Sequence, residues 1–230
     1  MRPDLSNIRA VSFDCYGTLI DWQTGIEDAL APLRAGMPQL PRGDELFREF
    51  VRLERAAEMP PYCSYKDVLQ EVMSGLSGIA GPCELLDTLW RSIAEWPAFP
   101  DTAEALRRLK ARFGTLAVLS NIDDALFAAS HARLGVRLDT VVTAQLVRSY
   151  KPEEANFRAL LAALKLEPHQ VLHVAESRFH DIEPASRLGF CTAWVQRQSG
   201  SSASGESTRD DAAPDIHVRS LIELCDCLGA

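Results

Sequence analysis

No apolar stretch in this 230-residue chain approaches the roughly 20 residues that a helix needs to cross a bilayer. Its start, Met1-Arg2-Pro3-Asp4, is polar and charged and lacks the apolar segment of a secretory leader. A cytoplasmic protein with no membrane partner is therefore expected. Positive charge is scarce and unclustered: 24 Lys and Arg against 32 Asp and Glu leave a net charge of −8, and no basic run exceeds Arg107-Arg108. Contact with nucleic-acid phosphates needs clustered cations, so nucleic acid is disfavoured as a partner. The six cysteines include no Cys-x-x-Cys pair, and no histidines stand at zinc-ligand spacing. Cys15, Cys63, Cys83, Cys191, Cys225 and Cys227 read as reduced, mostly packing residues. There is no internal repeat.

What is present fits a globular α/β protein. With 47% hydrophobic residues the chain can bury a full core, as one large domain or as a core with a smaller insertion. Short apolar runs at Ile8 to Phe13, Leu116 to Leu119, Val171 to Ala175 and Cys191 to Val195 are separated by helical patterns. That alternation predicts βα units and a parallel sheet. Residues 21–96 differ. Leu46, Phe47, Phe50, Val51 and Leu53, then Leu85, Leu86, Leu89 and Ile93, repeat near 3.6 residues with no convincing strand between them. Pro38, Pro41, Pro60-Pro61 and Gly81-Pro82 divide this stretch into about four helices. The expected organisation is an α/β core from residues 1–20 and 97–230 with residues 21–96 inserted as a helical cap. Ile20-Asp21 and Pro97 mark its hinges, and Asp101 is the expected N-cap of a helix running to Arg112. The Ser-, Gly- and Asp-rich segment Gln198 to Pro214 reads as a mobile surface loop.

One segment stands out chemically. In Phe13-Asp14-Cys15-Tyr16-Gly17-Thr18-Leu19 an acid ends an apolar strand and is followed by a glycine turn and a hydroxyl. Open α/β sheets place their ligands at that carboxyl edge. Asp14 there can act as a carboxylate nucleophile, dividing one hard hydrolysis into two easier steps. Alternation along the strand turns Cys15 away from it. Polar residues follow the other predicted strands as well: Ser120-Asn121, then Tyr150-Lys151-Pro152 after a short Val141-Val142 strand, then Glu176, Ser177 and Asp181. In a doubly wound sheet these ends converge on one crevice. Lys151 is placed to keep Asp14 ionised, and Thr18 with the Tyr16-Gly17 amides to donate to an anion. Taken singly, each has an ordinary alternative. Lys151 reads as a surface lysine before Pro152, Ser120-Asn121 with Asp123-Asp124 as a helix start, and Asp181 as a helix N-terminal charge.

These four elements, in this order, resemble the motifs of the haloacid dehalogenase superfamily over nearly the whole chain. Tyr16, two residues past Asp14, resembles the type II (S)-2-haloacid dehalogenase branch, since most phosphatases of the superfamily carry a second aspartate there. The resemblance implies a Rossmann-like, doubly wound parallel-sheet core with an inserted helical cap. It also implies metal-independent displacement at the α-carbon of a small 2-substituted carboxylic acid through an aspartyl ester. Asp14 would attack, with Lys151, Thr18 and Tyr16 around it. Ser120 and Asn121 would hold the substrate carboxylate, and Asp181 would orient Lys151 or help activate water. An arginine of the first cap helices, Arg52 or Arg55, would cradle the halide, and Trp22 would wall the pocket or pack a hinge.

The chain also departs from that branch, which has a small hydroxyl residue at the place of Glu176, an asparagine at Arg178 and a tyrosine at Phe157. Glu176 and Asp181 are five residues apart, the spacing at which superfamily phosphatases hold magnesium with their nucleophile. This implies an alternative, a Mg-dependent phosphatase with Asp14, Glu176 and Asp181 as ligands, although Tyr16 deprives it of its general acid. Glu176 facing the ammonium of an amine-bearing acid, as in azetidine-2-carboxylate hydrolase, is another. A non-catalytic small-acid binding protein is a third. No cofactor is favoured, and apolar cap faces are compatible with a homodimer.

Overall fold

A computed structural model of the chain describes residues 5–197 and 213–230. Apart from its last two residues, the segment Gln198 to Pro214 lies outside the described residues. The centre is a sheet of six parallel strands, β1 (Ala10–Phe13), β2 (Leu116–Ser120), β3 (Thr140–Thr143), β4 (Val171–Ala175), β5 (Cys191–Val195) and β6 (Ile216–Val218), in the order β3-β2-β1-β4-β5-β6. Every residue of β1, β2 and β4 is buried. Covered on both faces, parallel strands read as unbroken apolar runs. The sixth strand, only three residues long with a histidine at its centre, gives no such run and was not expected from the sequence.

Strand order reverses between β1 and β4. The chain steps outward through β2 to β3, crosses back beside β1, and continues to β5 and β6. This is the arrangement of a doubly wound Rossmann-like sheet, with its crevice at the carboxyl ends of the strands flanking the reversal. Register puts Phe13 beside both Val118 and Val174, and Asp14 N donates to Val174 O at 3.0 Å. Asp14, Ser120 and the residues after Ala175 are thereby delivered to one edge.

Residues 21–96 hold helices and turns: α1 (Trp22–Leu30), α2 (Gly43–Ala57), α3 (Tyr65–Ser77) and α4 (Thr88–Ser92), with turns of 3₁₀ helix between α1 and α2 and between α3 and α4. The chain leaves and returns through an antiparallel bridge between Ile20 and Ala98, with Asp21 N donating to Pro97 O at 2.8 Å. Helix α3 starts in a capping box of Ser64 and Asp67 and stops at Gly78, whose φ is 74°. Its first amides, Tyr65 N and Lys66 N, each donate at 3.0 Å to the carboxylate of Asp123. Asp123 reads in sequence as a helix start, and it does bind a helix N-terminus. The helix it caps is α3, though, so it ties the helical segment to the residues after β2.

Asp101 departs from expectation in a similar way. Helix α5 (Thr102–Phe113) begins beside it, but its side chain makes no cap. Both carboxylate oxygens instead accept from Arg197 Nη1 at 2.8 Å, and Oδ2 also accepts from Leu221 N at 2.8 Å. Arg197 in turn donates to Thr18 O from Nε and Nη2, at 3.1 and 2.6 Å. The turn after β1 is thus held from beneath. Among the described residues no helix is long and apolar enough to cross a membrane.

Trp96 is buried where the helical segment rejoins the core, and its side chain packs against Gly25 of α1. A Cβ on Gly25 would come within 2.3 Å of Trp96 Cγ and Cδ1. In a helix, alanine is favoured over glycine by about 1 kcal/mol, but overpacking a core that cannot yield costs about 1–3 kcal/mol or more. Trp96 is fixed by Tyr16, edge-on at 5.7 Å, and by its own Nε1 bond to Ser92 Oγ. Gly25→Ala is therefore expected to destabilise by about 2 kcal/mol in urea unfolding. Gly36→Ala is the control, since its Cβ would meet nothing nearer than Leu33 O at 3.9 Å. It is expected to be neutral or slightly stabilising.

Candidate active site

Asp14 sits one residue past β1, 7% exposed. Its Oδ1 accepts from Lys151 Nζ at 2.8 Å and its Oδ2 from Thr18 Oγ1 at 2.8 Å. The turn that allows this needs Gly17, which has φ 96° and lies under Trp22, so that a Cβ there would be 3.2 Å from the indole nitrogen. Thr18 Oγ1 also accepts from Glu176 N at 3.0 Å, which joins the β1 turn to the end of β4. Lys151 uses all three ammonium hydrogens, on Asp14 Oδ1, on Asp181 Oδ1 at 2.6 Å and on Leu119 O at 3.0 Å. Asp181 comes from a turn of π helix, Arg178–Ile182, directly after β4. Its Oδ1 also meets His173 Nε2 at 3.0 Å, while its buried Oδ2 has no hydrogen-bond partner.

The charges are strongly coupled. Burial pushes the Asp14 carboxyl above the ordinary aspartate value, against the pull of Lys151. Burial acts the same way on Asp181, but Lys151 and His173 outweigh it and hold Asp181 below that value. For Lys151 burial favours the neutral amine, yet the two carboxylates prevail and hold it above the ordinary lysine range. The result is a protonated lysine between two acids. Cys15, fully buried, has its thiol pushed well up by burial and by Asp14, so it is no competing nucleophile.

These groups open on a cavity of about 90 Å³. It is lined from the core by Asp14, Tyr16, Ser120, Asn121, Lys151, Ser177, His180 and Asp181, and from the helical segment by Glu54 of α2, by Glu58 directly after that helix and by Tyr65 of α3. Ser120, 2% exposed, has a buried Oγ with no partner. A larger space of about 400 Å³ adjoins it, sharing Glu58, Lys151 and His180 and lined further by Arg55, Tyr62, Arg148, Tyr150 and Phe179.

Of the residues singled out in the sequence, Asp14, Thr18, Lys151, Asp181, Ser120 and Tyr16 are gathered here. Tyr16 reaches Ser130 Oγ at 2.8 Å, and burial pushes its hydroxyl well above the usual phenol value, so it stays neutral. Asn121 needs correction. It lines the cavity, but its amide is engaged by the protein: its oxygen accepts from Lys151 N at 2.7 Å, and its nitrogen donates to Lys151 O at 3.1 Å and to Glu58 Oε1 at 3.4 Å. It aims the lysine. Arg52 is a second correction: 63% of its side chain is exposed, and it pairs with Glu49 three residues earlier. Arg55 lies instead at the mouth, its guanidinium 4.7 Å from the Phe179 ring centre. Trp22 packs on Phe47 and Phe50 rather than lining the cavity. Glu176 is not among the residues that line the cavity; its Oε2 lies 3.7 Å from where a Cβ on Gly17 would stand.

A sequence model of the haloacid dehalogenase-like hydrolases matches residues 8–189. The chain belongs to that family. It is 28% identical over 237 residues to (S)-2-haloacid dehalogenase 4A of Burkholderia cepacia, covering 98% of this chain and 96% of that one. It is 27% identical over 231 residues to an (S)-2-haloacid dehalogenase of Pseudomonas putida, covering 96% and 98%. Among solved structures, the L-2-haloacid dehalogenase of Xanthobacter autotrophicus superposes with a TM-score of 0.79 at 24% identity, over 97% of this chain and 99% of that one.

Among the described residues no group of three or more His, Cys, Asp and Glu side chains is gathered to hold a metal. Asp14 and Asp181 share the ammonium of Lys151, and Glu176 Oε2 lies beside the Gly17 turn.

Sequence reasoning missed His173, His180, Glu54, Glu58 and Tyr65. His173 is fully buried; its Nδ1 meets Ser12 Oγ at 2.8 Å and its ring packs edge-on to Phe157 at 5.6 Å. It holds Asp181 from behind. A histidine inside the apolar run Val171 to Ala175 was the available signal, because a buried polar group needs partners. His180 lines the cavity as a neutral ring, with burial drawing its pKa down to about 4. The glutamates were legible too. Glu54 falls seven residues after Phe47 and Glu58 four later, in register with the buried stripe of α2.

Proposed function

We propose that this hydrolase displaces the 2-substituent of a small 2-halo carboxylic acid without a metal, through an ester on Asp14. The observation that carries the reading is the buried triad in which Lys151 bridges Asp14 and Asp181 at 2.8 and 2.6 Å beneath a small cavity. The names of the curated relatives support the 2-haloacid class. Each oxygen of Asp14 accepts one hydrogen bond and keeps a lone pair for attack. The unpartnered hydroxyl of Ser120 is a donor for the substrate carboxylate. An Asp14 oxygen bonds to the α-carbon as the carbon–halogen bond breaks, and halide leaves with the bonding pair. Water then attacks the carbonyl carbon of the ester, releasing the 2-hydroxy acid and restoring Asp14. The free Oδ2 of Asp181 is the acceptor for a proton of that water.

The test is halide release from (S)- and (R)-2-chloropropionate with a chelator present. Release from the S enantiomer that the chelator does not diminish is expected. A requirement for added magnesium, or no release from either enantiomer, would refute the reading.

A further inference from the structure

The face of α2 that buries Phe47 and Phe50 continues to Glu54 and, one residue past the helix, to Glu58; both line the cavity together with Asp14. Displacement at carbon runs in line. With Asp14 attacking from the sheet side, the leaving group moves toward α2. The buried, unpartnered Oγ of Ser120 opens on the same cavity, independent evidence that it is built for a polar ligand.

Several groups face Glu54. The Tyr65 hydroxyl of α3 donates to its Oε1 at 2.6 Å. Arg55 neighbours it on α2 and Glu58 stands directly after that helix, and Asp14, Lys151 and His180 face it from the core side of the cavity. Burial, opposed by Tyr65 and Arg55 and reinforced by Asp14, pushes the Glu54 carboxyl up to about 7. Burial and Glu54 push Glu58 well above the ordinary glutamate value. Ionised, this wall would repel a departing anion. Protonated, it can hydrogen-bond to one and give up a proton.

We propose that Glu54 donates a proton to the leaving group, so that the site takes 2-substituted carboxylic acids whose leaving group captures a proton as it departs, 2-fluoro acids among them. This rests on Asp14 being the nucleophile. An Asp14 oxygen forms its bond to the α-carbon while the carbon–fluorine bond breaks. The bonding pair leaves with fluorine, which takes the Glu54 proton and departs as HF. Hydrolysis of the ester yields the 2-hydroxy acid and one proton, which returns Glu54 to its acid form. Substrate and water thus give hydroxy acid and HF. Bromide, a weak base, gains little from the donor.

The test compares wild type with Glu54→Gln on 2-fluoro-, 2-chloro- and 2-bromopropionate, measuring halide release against pH. Glutamine keeps the shape and an acceptor for Tyr65 but has no proton to give. In the variant kcat/KM for the fluoro acid is expected to fall on the order of 10²–10³-fold, and that for the bromo acid by less than about tenfold. In wild type the fluoride-to-bromide ratio should decline as pH rises through about 7, a trend the variant lacks. A ratio that Glu54→Gln does not change, or bromide release without fluoride release, overturns the inference alone. No release of any halide removes the reading of Asp14 and the inference with it.

Discussion

Asp14→Asn is expected to reduce halide release on the order of 10⁴-fold or more while leaving the protein close to wild-type stability. The two effects separate because of what surrounds the residue. Asparagine has the shape of aspartate, so its oxygen can keep the 2.8 Å contact to Lys151 Nζ. Its amide then faces Thr18 Oγ1, which has acceptor capacity beside the bond it takes from Glu176 N. The charge of Lys151 stays balanced by Asp181, whose Oδ1 is 2.6 Å away. What is lost is the anionic oxygen that attacks carbon. A second readout identifies the step: after repeated turnover in ¹⁸O water, wild type should carry label in the Asp14 carboxylate, because ester hydrolysis at its carbonyl leaves one solvent oxygen behind. The peptide containing residue 14 reports this by mass spectrometry. Unlabelled Asp14 with continued turnover would mean that water displaces the halide directly.

Much of this site was legible because a parallel sheet writes itself plainly. Strands buried on both faces give apolar runs, and the first polar residue after each run falls at the carboxyl edge. Asp14, Ser120 and the residues after Ala175 are read in that way. Lys151 is harder. It follows β3, of which only Val141 and Val142 were evident, and its position depends on Asn121 holding its main chain from the neighbouring loop. The helical wall was least legible. Periodicity identifies a buried stripe on α2 but does not say whether that stripe meets apolar core or a cavity. Glu54 and Glu58 continue the stripe at the point where core gives way to cavity. Arg52 lies off that face and pairs with Glu49 in solvent, and so a motif argument that weighed Arg52 and Arg55 equally had no means of choosing. Asp101 and Asp123 show a related limit. Each has the chemistry of a cap, and each serves a backbone amide, but the amide belongs to a distant element.

Lys151→Met should lose both activity and stability, and the comparison with Asp14→Asn shows why. Removing one partner from a buried ion pair costs about 3–5 kcal/mol, since the opposite charge is left without compensation. Here two carboxylates are left, 10% and 1% exposed at their side chains, together with the carbonyl of Leu119. In wild type burial already raises Asp14, and the nearby charge of Asp181 raises it further. Without the ammonium both influences act unopposed, and Asp14 takes up a proton and ceases to be a nucleophile. That uptake limits the loss of stability but makes it depend on pH. A carboxyl whose folded pKa is raised supports the fold below its unfolded value and loses that support as pH rises through the folded one. The variant should therefore lie further below wild type in unfolding free energy at about pH 8 than at about pH 5. The double variant Asp14→Asn with Lys151→Met removes one of the two stranded charges, so the lysine substitution should cost less in that background by more than about 1 kcal/mol. Additive costs for the two substitutions, with no change between the two pH values, would show that Lys151 supports the fold through packing of its stem alone.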